Sequence, residues 1–76
     1  MQYPFIEKFI KALNKAKWEL YNQQGRTVQA EDLAEKLRKI EVGLENETIT
    51  INQALAKVAR LLKDTEINFV NLLICA

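Results

Sequence analysis

Histidine is absent from this 76-residue chain, and cysteine, tryptophan and proline occur once each. Without histidine the chain lacks both the usual general base at neutral pH and the commonest metal ligand. A lone Cys75 forms no intrachain disulfide and builds no zinc site. The only glycines are Gly25 and Gly43, too few and too far apart for a phosphate-cradling loop. No run of about 18 apolar residues exists that would span a bilayer. The opening residues Met1-Gln2-Tyr3-Pro4-Phe5 lack the basic and apolar regions of a secretory leader. Cys75, second from the end, does not fit a prenylation box. The net charge of +1 gives no global field toward nucleic acid or membrane. These absences lead us to expect a soluble, cytoplasmic protein without enzymatic activity, cofactor, metal or small-molecule substrate.

An apolar fraction of 49% and a charged fraction of 28% describe an ordinary globular composition. The length allows one domain, residues 1–76. A chain this short buries only about 60–65% of its unfolded surface, so its stability is marginal. With disulfides and metals set aside, an efficient core, self-association or a partner must make up the deficit.

Scarce breakers favour helices over short strands. Ile6, Phe9, Ile10, Leu13, Ala16 and Leu20 recur at three and four residues, which predicts a first helix from about Pro4 to Gln23. Leu33, Leu37, Ile40 and Leu44, with Ala30 and Ala34, predict a second from about Gln29 to Val42, ended by Gly43. Asp32–Lys36 and Glu35–Lys39 are spaced for i,i+4 ion pairs on it. Thr50-Ile51-Asn52-Gln53 has the form of a capping box opening a third helix, with Ile51, Leu55, Val58 and Leu62 as its stripe. Asp64 or Thr65 is placed to cap a fourth segment from Glu66 to about Cys75. A run that short also suits a strand, but the caps and context favour helix. The expected fold is therefore an all-α bundle of three to four helices. The β-prone pieces 26–29 and 48–51 leave room for a minimal two-stranded ribbon between helices.

The surplus of apolar surface carries the functional reading. Ile67, Phe69, Val70, Leu72, Leu73 and Ile74 leave the fourth segment apolar on nearly every side, so something must cover it. Trp18 lies off the first stripe beside Asn14 and Tyr21. It marks a second contact surface unless the fourth helix wraps round it. Lys17 falls inside the first stripe and must either extend outward along its stem or pair with a carboxylate across an interface. Cys75 reads as a small buried hydrophobe, since no cation stands beside it in sequence to activate the thiol.

We therefore expect a protein-interaction module, a homodimer or the companion of another protein. Its contacts would be Trp18, Tyr21, Phe69, Val70, Leu72, Leu73 and Ile74. The alternative is a small dimeric nucleic-acid-binding regulator. It would use Lys8, Lys11 and Lys15, or Lys57, Arg60 and Lys63, against phosphates. Thr48 to Leu73 fits a helix-turn-helix poorly, because the turn glycine is missing. Residues 24–28 and 65–69 lack the alternating oxygen donors of a calcium loop.

Overall fold

A computed structural model describes residues 3–75, with side chains from residue 5 onward. Met1, Gln2 and Ala76, on which part of the reading of the two ends rests, lie outside the described residues. Four helices follow one another: α1 (Tyr3–Gln24), α2 (Val28–Glu45), α3 (Ile51–Leu62) and α4 (Phe69–Cys75). No strand occurs among the described residues, and the fold is an all-α bundle.

The 3.6-residue period puts Phe9, Ala12, Leu13, Ala16 and Leu20 on one face of α1, where all five are fully buried. Gly25 ends the helix in the left-handed region, φ +69°, and its N–H donates to Tyr21 O at 2.8 Å. Two residues later Thr27 opens α2, its Oγ1 accepting from the Ala30 N–H at 3.1 Å. The extended backbone of Thr27 (φ −83°, ψ 163°) is the geometry of a helix cap. Residues 26–29 therefore enter a helix instead of pairing in a ribbon.

Gly43 does not end α2, which continues to Glu45. The left-handed turn falls on Glu47, φ 60°. Around it the Thr48 N–H donates to Gly43 O at 2.9 Å and the Glu47 N–H to Leu44 O at 3.2 Å. These are the two bonds of a Schellman closure, with glutamate where glycine is usual. Gly43 serves a different purpose. A Cβ there would lie 3.1 Å from Ile49 Cγ1 and 3.3 Å from Thr48 Oγ1. The missing side chain lets the chain fold back over α2, so residues 48–51 form a turn and a cap and not a strand.

Thr50 and Gln53 form the expected capping box: the Gln53 N–H donates to Thr50 Oγ1 at 3.1 Å and the Thr50 N–H to Gln53 Oε1 at 3.0 Å. Ala54, Val58 and Leu62 of α3 are buried. The next boundary departs from expectation. Thr65 closes α3, donating to Leu62 O at 2.8 Å and accepting from the Ile67 N–H at 3.2 Å. Asn68 opens α4, its Oδ1 accepting from the Asn71 N–H at 3.2 Å. The fourth helix thus begins at Phe69 and not at Glu66.

α1 packs against α2 and α4, α2 packs against α3, and α3 and α4 touch lightly. All four helices feed one apolar cluster. It holds the rings of Phe9 and Phe69, with Phe5 set edge-on to Phe9 at a centroid distance of 6.4 Å.

Candidate interaction surfaces

α4 has only seven residues, and its period divides them unequally. Phe69 turns inward and is 6% exposed, while Leu72 and Leu73 lie half-buried against the core. Phe69 therefore anchors the helix internally and is not an outward contact. Val70 and Ile74, one turn apart, stand 55% and 69% exposed on the outer edge. Cys75 is exposed too, contrary to the buried position expected of it.

On α1, Trp18 faces away from the buried stripe and is 68% exposed. α4 docks on the Phe9 side and leaves Trp18 uncovered. Tyr21, one turn on, is half-buried beneath Arg26, whose guanidinium carbon sits 4.7 Å from the ring centroid. Lys17 reaches to α2, its Nζ 3.8 Å from Glu41 Oε1. Asn14, Glu31, Glu35 and Arg38 complete a shallow groove of about 500 Å³. Its charges are mixed.

A second groove, about 640 Å³ and open to solvent, runs between α2 and α3. Lys36 and Lys39 stand on its α2 side, and Lys57 and Arg60 on its α3 side. Ile40, Gly43, Ile49 and Leu61 lie between them, and Thr48, Gln53 and the exposed Ala56 complete the lining. No acidic residue lines it. Lys57 and Arg60 come from the basic row singled out in the sequence, but Lys63 lines the α3–α4 side instead. Lys36 and Lys39 were visible in the sequence only as members of i,i+4 pairs. Asp32 does hold Lys36 at 3.1 Å, whereas Glu35 and Lys39 form no ion pair. Nothing local in the sequence signals that they face Lys57 and Arg60; that follows from the packing of α2 on α3. Lys8, Lys11 and Lys15 are exposed on α1, away from the core.

Among the described residues no group of three or more His, Cys, Asp or Glu side chains is placed to hold a metal ion. No described helix is long and apolar enough to cross a membrane. No known protein family, curated protein or solved structure matches the chain.

Proposed function

We propose that this chain is a non-enzymatic protein-interaction module, a small adaptor or regulator that self-associates through the outer edge of α4. The supporting observation is the pair Val70 and Ile74, large aliphatic side chains left uncovered one turn apart. Taking a side chain of this size from full exposure to full burial contributes about 1.5–3 kcal/mol, and the area still open on Val70 and Ile74 leaves roughly half of that to gain at each. A short helix contributes little stability by itself, so a second copy packed over this edge would also hold α4 in place. A two-fold arrangement brings the same edge of each protomer together, which makes the contact self-complementary. Trp18, on another face, offers a second contact point. The exposed thiol of Cys75 suits a reducing compartment such as the cytoplasm.

Sedimentation equilibrium at micromolar concentration tests the reading. The expected result is a dimer, converted to monomer by Val70→Asp combined with Ile74→Asp while helical circular dichroism is retained. A strictly monomeric unaltered chain over that range overturns it.

A further inference from the structure

We propose that the groove between α2 and α3 is the docking site for an acidic amphipathic helix of a partner protein. The proposal rests on reading the chain as an interaction module, but not on its self-association. Two features of the groove act together. Ile40 is buried and Ile49 and Leu61 are half-buried between the two helices, so the floor is mainly apolar, with Thr48 and Gln53 beside it. Along its two walls run Lys36 and Lys39 on α2, Lys57 and Arg60 on α3, each pair spaced by three residues. That spacing is about one helical turn, roughly 5 Å of groove length per wall. The complementary ligand carries apolar residues along its centre line and carboxylates on both flanks. An amphipathic helix with apolar positions at i, i+3, i+4 and i+7 has that form.

The same observations select against other occupants. A second copy of α4 would bring the sequence FVNLLIC, which contains no carboxylate to meet the walls. A nucleic-acid backbone would satisfy the cations but would gain nothing from an isoleucine and leucine floor, and its affinity rests on charge. Asp32 already occupies Lys36 in part, so Lys39, Lys57 and Arg60 carry most of the unmatched charge.

The experiment uses the full chain and three fluorescent probes. One is a synthetic helix with leucines at i, i+3, i+4 and i+7 flanked by glutamates. The second is the same helix with lysine for every glutamate. The third is a random-sequence DNA duplex. Anisotropy titration should show binding of the glutamate helix alone. Backbone amide shifts should fall on residues of α2, α3 and the 48–50 turn. Lys39→Glu with Arg60→Glu should weaken binding about tenfold or more while leaving the melting temperature nearly unchanged, because both residues are exposed. The proposal is overturned if no helix binds, if the lysine helix binds equally, if the duplex binds more tightly, or if the shifts fall on α4. A monomeric chain that still binds the glutamate helix would end the self-association reading and leave this one standing. A dimer that binds no helix would do the reverse.

Discussion

The rings of Phe9 and Phe69 meet at a centroid distance of 5.1 Å, tilted by 59°. Sixty positions of chain separate them, and through this contact the last helix is fastened to the first. Phe69 is also the one buried residue of α4. Phe69→Ala should cost about 3–5 kcal/mol, against a total of about 5–15 kcal/mol for a domain of this kind. Urea denaturation followed by circular dichroism measures it. Val70→Asp, one residue away and outward, should change monomer stability by no more than about 1 kcal/mol. Equal losses at the two positions would contradict the division of α4 into an inner and an outer side.

The two helix ends that use left-handed backbone carry different residues. Gly25 adopts φ +69° without strain, while Glu47 adopts φ 60° against the preference of any residue with a Cβ. Glu47→Gly should therefore stabilise the protein by about 1 kcal/mol, and Gly25→Ala should destabilise it by a similar amount although the space around it is open. Thermal melts of the two variants should move in opposite directions. A lower melting temperature for Glu47→Gly would count against the left-handed closure of α2.

Gly43 presents the contrary case, a glycine retained for space and not for backbone conformation. Alanine inside a helix is worth about 1 kcal/mol over glycine. At this position its Cβ would crowd Ile49 Cγ1 at 3.1 Å and Cδ1 at 3.2 Å, and isoleucine is stiff at χ1. Gly43→Ala should be destabilising in the natural sequence and stabilising when Ile49 is already alanine. A double-mutant cycle reads this as a coupling of about 1 kcal/mol or more. Additive effects would show that the 48–50 turn does not rest on α2.

What the sequence revealed was what is local. The stripe of Phe9, Leu13, Ala16 and Leu20 and the Thr50–Gln53 box each depend on residues a turn or so apart, and both were legible. Gly43 reads as a helix stop in the sequence because its cause is Ile49, which lies beyond the end of the helix and meets it only in three dimensions. Phe69 and Val70 could not be told apart because α4 has almost no polar residue to mark its outer side. The sequence leaves the start of α4 open because Thr65 can cap forward or close backward, and in the fold its hydroxyl is engaged by Leu62 and Ile67. The basic groove was half legible: Lys57 and Arg60 were evident as a row, but their meeting with Lys36 and Lys39 is a property of how α2 lies on α3.

Lys17 and Glu41 offer the sharpest electrostatic test. Their side chains retain only 23% and 21% of their exposure, and the 3.8 Å between Nζ and Oε1 is long for a hydrogen bond. Glu41 Oε1 is buried without a hydrogen-bond partner. Lys17 therefore supplies charge compensation to a carboxylate that has little else. Removing it alone, as Lys17→Met, leaves that carboxylate uncompensated in a partly dry site and should cost about 1–2 kcal/mol, less than a fully buried pair because solvent still screens it. Adding Glu41→Leu to Lys17→Met removes the orphaned charge and fills the same space with carbon. The double variant should recover to within about 1 kcal/mol of the natural protein or exceed it. Chemical denaturation of the two single variants and the double one decides the matter. If Lys17→Met is neutral, the lysine only extends along its stem to water, and the approach of α1 to α2 at this point owes nothing to charge.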